Sequence, residues 1–560
     1  MESLTKIAEI EDKYKKANSE RAKYVKAILG SNSSKKVVVA GPGTGKTYLF
    51  KELLKGKKNT ITLTFINSLV EDLSLELYGI SNVLTLHSFG RSQLGNILKK
   101  KIKIHPKLSN VICQDSEILQ GADVDFNKIF HERDDSNPHL AFYEKRRQYY
   151  DYYGYADVIF STVKYYEADP TTIPVFEQVL VDEFQDFNKL EVSLIELLSS
   201  KSPILLAGDD DQALYDFKHA SAEYIRERHG EKMPEFESFS LPFCARCPRV
   251  VVDATNDLIN SAQQNGLLKG RIDKPYLYFD HKDKDEVSNQ YPKIIHKKVY
   301  AAQIPWKIEQ GIEEIAHDIK DKFSVLIISP YKQQSKQIVK ALRAKGLTNI
   351  DFKVKEDENE LTLLDGFNIL LLDKTDNLGW RIVAPFFISN DTIISVIKAS
   401  ADDPSKKIIT LLTAEIVKTI KNILKSLKCI SDGKPITPEL LASTLKLFKI
   451  DQNSLAIENL QEKLNSFELS GGNPAIRKIP IKATTIQSSK GLSADIVFIT
   501  HFDDQYFIKG HKQKVISDQD ICNFLVALTR AKKKVFLISS ADDNPTFLTW
   551  IASKNILKTK

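Results

Sequence analysis

Apolar residues fall along this chain in short continuous runs, separated by stretches of helical period. Lys35–Ala40 (KKVVVA), Asn59–Phe65 (NTITLTF), Val175–Glu183 (VFEQVLVDE) and Ser202–Asp210 (SPILLAGDD) are such runs. Short β-branched runs alternating with helix-like segments predict a parallel sheet covered on both faces. The rhythm stops after His87, in a stretch rich in Lys, Tyr and Asp that ends near RRQYYDYYGYADVIF. It returns at Lys322–Pro330 (KFSVLIISP) and the helix-like YKQQSKQIVKALRAKGL, then lapses between about 348 and 480. In that second gap LLTAEIVKTIKNILKSLKCI and PELLASTLKLFKI read as amphipathic helices, and Ser470–Pro474 as a linker. Ala494–Thr500 (ADIVFIT) and Lys533–Ser539 (KKVFLIS) restore the strand pattern. The expected fold class is α/β: two lobes with parallel sheets, each carrying a mainly helical insertion. The boundaries are 1–88 and 171–240 for the first lobe, 89–170 for its insert, 241–347 and 481–560 for the second lobe, and 348–480 for its insert.

Candidate chemistry enters at the end of the first strand. Ala40, Gly41, Pro42, Gly43, Thr44, Gly45, Lys46 and Thr47 spell AGPGTGKT between an apolar strand and the helix-like YLFKELLK. Backbone N–H groups of such a loop cradle phosphate oxygens; Lys46 reaches the β- and γ-phosphates, and the Thr47 hydroxyl is a ligand for Mg²⁺. A nucleoside triphosphatase also needs carboxylates at a second strand end, and VLVDEFQD (Val179–Asp186) supplies them. Asp182 would hold Mg²⁺ and Glu183 would take a proton from the attacking water. No NKxD-type guanine-reading element is evident, so GTP is disfavoured and ATP is the expected nucleotide.

Four further segments narrow the class: AGDDDQALYDF (Ala207–Phe217), LPFCARCP (Leu241–Pro248), TTIQSSKGLSADIVFI (Thr484–Ile499) and NFLVALTRAKKKVFLI (Asn523–Ile538). With LTFINSLVEDL (Leu63–Leu73) and TLHSFG (Thr85–Gly90), and in this order, the set resembles the motifs of UvrD/Rep-like superfamily 1 DNA helicases. The resemblance implies two RecA-like P-loop motor lobes. It implies that Gln185 and Gln212 sense the γ-phosphate and that Arg246 and Arg530 are arginine fingers; the family's ribose-touching Glu falls at Ser493, with Asp495, two residues on, as its substitute. Fingers reaching in from the opposite lobe make hydrolysis depend on closure. It further implies single-strand contacts through the rings of Phe65, His87, Tyr215 and Phe217, and phosphate contacts through Asn67, Thr85, Ser88, Thr485 and Ser488. The chain departs from the family in several places. No Gln precedes Gln93, so the upstream adenine-reading glutamine is missing. Cys244 and Ala245 stand where the family has Asn and a base-packing aromatic residue. Phe217 replaces Trp, Gln487 replaces His and Ser493 replaces Glu.

The activity implied is an ATP- and Mg²⁺-dependent translocase or helicase on single-stranded or tailed duplex DNA, of 3′→5′ polarity. The alternative is an ATPase subunit that senses DNA or nucleotides and regulates a separate nuclease, as in Gabija-type anti-phage defence; repair is the other setting. Only 30 residues follow Arg530, so a cooperating nuclease is expected on another chain. Composition adds little. An excess of 79 basic over 73 acidic residues permits a polyanionic partner without demanding one. Five cysteines and no apolar run long enough to span a bilayer point to a reducing cytoplasm and away from a membrane. Cys244 and Cys247 lack the second ligand pair of a metal site and are expected to pack beneath the arginine loop. The run LKKKIKIHPK (Leu98–Lys107) reads as a solvated basic face, with phosphate contact as the sharper option. Tyr149, Tyr150, Tyr152 and Tyr153 read as the core of the insert.

Overall fold

The computed structural model describes residues 2–64, 67–215, 219–318, 323–345, 347, 350–352, 361–431, 447, 479–513 and 515–559. Two compact units emerge. One joins 1–89, 163–355 and 476–560, and the other joins 90–162 with 356–475.

The first unit holds two parallel sheets. β1 (Lys35–Ala40), β2 (Thr60–Thr64), β3 (Asn82–Thr85), β4 (Gln178–Val181), β5 (Ile204–Gly208) and β6 (Glu237–Leu241) lie in the order β3-β2-β4-β5-β1-β6. A two-residue pair, β7 (Phe243–Cys244) and β8 (Leu277–Tyr278), follows. β9 (Ile294–Lys298), β10 (Val325–Ser329), β11 (Ile350–Phe352), β12 (Ile481–Thr485), β13 (Ala494–Thr500), β14 (Ala531–Ser539) and β15 (Ile556–Thr559) form the second sheet, ordered β11-β12-β10-β13-β14-β9-β15. The central strands are apolar on both faces: Val37, Val38 and Val39 are buried in β1, and so is every residue of β5 and β10. That is what a sheet covered by helices on both sides requires. α1 (Glu2–Gly30) buries Val25 and Ile28 together with α2 (Lys46–Leu54), which contributes Leu49, Phe50 and Leu54. Both sheets are thus the α/β lobes expected. The sequence pattern missed the short edge strands, and β11 extends the second sheet past the expected lapse at 348.

In the second unit the two helical insertions pack on one another. Asp115, fully buried, accepts from Arg146 Nε at 2.8 Å, Arg381 Nε at 2.9 Å and Tyr150 Oη at 2.6 Å. One carboxylate thereby joins the helices Leu108–Gln120, Leu140–Tyr150 and Asn377–Val383. Tyr150 and Tyr153 are buried, as expected of an insert core. The basic run is largely neutralised within the unit: Lys103 lies 3.6 Å from both Asp151 and Asp376, and Lys107 lies 2.7 Å from Asp365. PELLASTLKLFKI, apart from Leu447, and the linker Ser470–Pro474 lie outside the described residues. No helix among the described residues is long and apolar enough to cross a membrane.

Asp157 gives this unit a pH signature. Its carboxyl is fully buried, and burial, partly opposed by Arg147, Tyr143 and the Gly154 backbone, pushes its pKa from 3.8 up to about 8. A raised carboxyl keeps its proton in the folded state after the unfolded chain has lost it. Stability contributed by this group therefore falls as pH rises from about 4 to about 8. Asp157→Asn is expected to remove that slope, so that its melting temperature rises relative to the parent's by several degrees between pH 5 and pH 8. Parallel melts of the two full-length proteins check this.

A candidate nucleotide-binding cleft

β1 runs into the glycine-rich loop, and the chain re-enters a helix at Lys46. Gly43 (φ 72°) and Gly45 (φ 102°) take left-handed conformations that other residues rarely adopt. α2 therefore starts with its free N–H groups and positive dipole end facing the loop's concavity, the usual seat for phosphate. Gly43 has a second reason to be glycine. Ala245 N–H donates to its carbonyl at 2.9 Å, and a Cβ there would come within 2.3 Å of Arg246 Cβ. The LPFCARCP loop thus lies directly on the phosphate loop. Tyr276 braces it from another side, its hydroxyl donating to the Pro42 carbonyl at 3.0 Å.

β4 ends in Asp182 and Glu183. Glu183 adopts φ 55°, a left-handed value costing an L-residue about 1–2 kcal/mol, and opens the turn Phe184–Asp186. Its carboxylate meets Lys46 Nζ at 2.8 Å and accepts from Gln185 Nε2 at 2.7 Å; Lys46 also lies 3.4 Å from Asp182. Burial opposes charge on Glu183, but Lys46 and Lys490 outweigh it and hold the carboxyl well below its ordinary range. Asp182 is shifted the other way, because its burial is less fully offset. Glu183 is thus an ionised acceptor at neutral pH.

A chain of hydrogen bonds crosses to the second sheet. Gln185 accepts from Asp209 N–H at 3.0 Å, Gln212 Nε2 donates to Asp209 at 2.6 Å, and Arg530 Nη2 donates to Gln212 Oε1 at 2.9 Å. Arg530, in the turn between the helix Asp518–Leu528 and β14, is 3% exposed. Its partners are Gln212, the Thr529 hydroxyl and the carbonyls of Val526 and Leu492, with no carboxylate among them. Burial, with Arg246 close by, lowers its pKa to about 10. It stays charged, and a buried guanidinium with no carboxylate bonded to it among the described residues suits an anion.

These groups share one cleft of about 780 Å³, lined by Gly41–Thr47, Asp182, Glu183, Gln212, Arg246, Asp495 and Arg530. Ligand sites typically enclose about 300–1,000 Å³. Lys46 and Arg530 thus face the same space. The Thr47 hydroxyl and the Asp182 carboxylate line it as hard oxygen donors, the chemistry that suits Mg²⁺. Ala40 ends β1 and is buried outside this lining.

Not every expected residue fits its role. Asp495 reaches the rim, but its carboxylate is engaged by Ser324 (2.9 Å from the N–H, 2.8 Å from the hydroxyl) and by Lys533 at 3.3 Å. Those bonds tie a loop to β13 and leave the ribose role without support. Tyr215 is 3% exposed and packs with Leu214, Cys522 and Val526, so as placed it is core and not a stacking platform. Phe65 and Phe217 lie outside the described residues, as does the side chain of Asn67. His87 is half-buried at the start of the helix Leu86–Leu98. Thr85 and Ser88 cap that helix: Ser88 N–H donates to Thr85 Oγ1 at 3.1 Å. Thr485 and Ser488 repeat the arrangement after β12, at 3.4 Å. The two sheets thus end in matching TLHS and TIQS turns, a repeat legible in the sequence that motif order alone did not reveal.

Sequence reasoning also missed Lys490. It is 2% exposed, donates to the Gln212 carbonyl at 2.6 Å and to Asp186, and lies 3.6 Å from Glu183. It ties the turn after β12 to the acidic turn after β4. Its signal was a lysine before glycine in SSKGL. Asp209, Asp210 and Asp211 bring carboxylate oxygens within 4.8 Å of one another, but Lys274 bridges all three (3.0 Å to Asp209, 2.9 Å to Asp211), and Arg271 and Arg226 add further charge. Cations of the chain itself fill the place of a metal. Cys244 and Cys247 are free and buried, with Cys247 Sγ 3.4 Å from the Thr529 carbonyl.

Comparison with known proteins agrees with this geometry. Residues 126–232 match the UvrD/REP helicase N-terminal domain, and residues 395–542 match the UvrD-like helicase C-terminal domain. Over those two regions the chain is similar to the UvrD/Rep-like helicases. A probable DNA helicase II homologue of Mycoplasma pneumoniae is 23% identical over 90% of this chain and 81% of its own length. DNA helicase II of Escherichia coli is 23% identical over 59% of this chain and 51% of its own. The ATP-dependent DNA helicase PcrA of Staphylococcus epidermidis is 23% identical over 44% and 40%. As UvrD/Rep-like lobes, the two sheets account for a nucleotide cleft with residues from both in its walls.

Proposed function

We propose that this chain is a motor that hydrolyses ATP with Mg²⁺ in the cleft and steps 3′→5′ along single-stranded DNA, displacing a paired strand. DNA helicase activity is the coarser statement that its UvrD-like domains and its relatives support. The observation carrying the finer one is Arg530: a buried cation, lacking a carboxylate, that faces Lys46 across the cleft. In the sequence of events we propose, Lys46 exchanges Asp182 and Glu183 for the terminal phosphates as nucleotide enters. Thr47 and Asp182 would hold a Mg²⁺, which would screen the phosphate charge. Glu183 orients and deprotonates the attacking water, while Arg246 and Arg530 meet the charge that develops on the γ-phosphoryl group. Gln212 touches Arg530 and, through Asp209 and Gln185, connects it to Glu183, so loss of the γ-phosphate alters bonds at both walls. Thr85 with Ser88 and Thr485 with Ser488 lie at the ends of β3 and β12 and supply one phosphate grip per lobe.

Strand displacement on tailed duplexes tests the polarity. A 3′ tail is expected to support ATP-dependent displacement and a 5′ tail to support little. Displacement only from the 5′ tail contradicts the polarity, and robust hydrolysis without displacement from either tail contradicts unwinding. No observation in the site singles out regulation of a separate nuclease, and the translocase is the reading that the geometry favours.

A further inference from the structure

The cleft holds one more cation, outside every motif segment. Lys284 lies in the first turn of the helix Lys282–Gln290, and it lines the cleft together with Arg246. It is half-buried, and its Nζ donates to the Cys247 carbonyl at 2.6 Å, one residue past Arg246. The helix that carries it is fastened at both ends of its outer face. The Ser288 hydroxyl accepts from Arg249 N–H at 3.0 Å and lies 3.1 Å from the Tyr278 hydroxyl. Asp285, the next residue along, pairs with Lys13 at 3.2 Å and Arg249 at 3.4 Å.

Charge decides what Lys284 is there to meet. Among the described residues no carboxylate pairs with Lys284, Arg246 or Arg530, and all three line the one cleft. The acids that share this lining are engaged elsewhere: Asp182 and Glu183 by Lys46, Asp495 by Lys533 and Glu76 by Lys51. Asp283 keeps 83% of its side chain exposed. Burial pulls the Lys284 pKa below the ordinary lysine value, offset only in part by the sulfurs of Cys244 and Cys247. Like charges gathered at low dielectric are costly until an anion joins them. An ammonium has three N–H donors; the Cys247 carbonyl takes one and two remain. The anion that a P-loop cleft admits is a polyphosphate. Because Lys284 is anchored by a backbone carbonyl, its charge is in place before hydrolysis begins, and it meets charge already present on the triphosphate.

We propose that Lys284 is a further ligand of the triphosphate, a third cation beside Arg246 and Arg530 that binds the phosphate chain in the ground state and holds it against the Arg246 loop. This rests on the triphosphatase reading above and adds a binding residue to that site. A group that holds ground state and transition state alike lowers KM without raising kcat, which separates Lys284 from the two fingers.

The test measures Kd for a fluorescent ATP analogue, and KM and kcat for ATP with saturating single-stranded DNA, in the full-length protein and three variants. Lys284→Gln and Lys284→Met both remove the charge. Each is expected to raise Kd and KM about tenfold, the scale of one hydrogen bond to a charged group, while kcat stays within about threefold. Lys284→Arg is expected to keep most of the affinity, and the salt dependence of Kd is expected to be shallower in the two neutral variants than in the parent. Parent-like Kd and KM in both neutral variants overturn the proposal. So does a kcat loss of about tenfold or more at unchanged Kd, which would make Lys284 a strut for the Cys247 carbonyl that touches no phosphate. Lys284→Arg binding as weakly as Lys284→Met overturns it too, because shape and not charge would then be what matters. If the parent itself neither binds nor hydrolyses ATP, the triphosphatase reading has failed, which is a different result from a parent that binds ATP with no help from Lys284.

Discussion

Lys46→Ala is expected to abolish ATP hydrolysis, lowering kcat by about 10³-fold or more, while single-stranded DNA still binds. Two consequences of the geometry sharpen this. Lys46 is the only side chain that reaches both Asp182 and Glu183 (3.4 and 2.8 Å) among the described ion pairs. Burial works against its own charge, but those two carboxylates outweigh burial and raise its pKa. Without it, two buried carboxylates face one another with Lys490, 3.6 Å from Glu183, and the more distant Arg530 to offset them. Like charges held together at low dielectric do not both stay ionised, so the variant is expected to take up a proton near neutral pH that the parent does not. Steady-state hydrolysis, DNA binding by anisotropy and proton uptake by titration read the three effects separately. Full hydrolysis in the variant would refute the assignment of the loop.

Arg530→Ala carries the second large effect. Removing the guanidinium is expected to lower kcat by about 10³-fold or more with little change in the apparent affinity for ATP, because a finger acts on charge that develops in the transition state. The side chain also bonds Gln212 and the Val526 carbonyl, so a structural loss must be told apart from a chemical one. Arg530→Lys does so. It keeps a cation in the buried position but loses the planar fork, and it is expected to restore folding without restoring more than a small part of kcat. A near-normal kcat in Arg530→Ala, measured with saturating ATP and single-stranded DNA, would show that this arginine is a structural link and no finger.

Much of the site was legible in the chain because its parts are local. AGPGTGKT and VLVDEFQD are read from consecutive residues, since a strand, a tight turn and a helix start each need particular neighbours, and the central strands announce themselves as apolar runs buried on both faces. What escaped is what the fold assembles from distant segments. Tyr276, Lys284 and Lys490 reach the phosphate loop, the Arg246 loop or the acidic turn from three separate elements, and none carries a periodic or spacing signal. Asp209, Asp210 and Asp211 are neutralised by Lys274, more than 60 residues away, which no local pattern announces. Tyr215 was misread for a related reason: an aromatic inside a motif looks functional, and only the helix Asp518–Leu528 packing over it makes it core. The short edge strands β11 and β15 lack the apolar continuity of central strands, because one side of each faces no neighbour. That the two insertions form one unit rests on Asp115 with Arg146 and Arg381, residues more than 230 positions apart at the extreme, which no local pattern can pair.

The central claim is that a triphosphate is clamped between Lys46 on one wall and Arg530 on the other, and that this clamp is geared to a DNA strand. The initial rate of ATP hydrolysis by the full-length protein, with and without saturating single-stranded DNA, tests it most directly. A rise of tenfold or more on adding DNA, lost in Arg530→Ala, is the result expected. Hydrolysis at the same rate with and without DNA, or none in either condition, would contradict it.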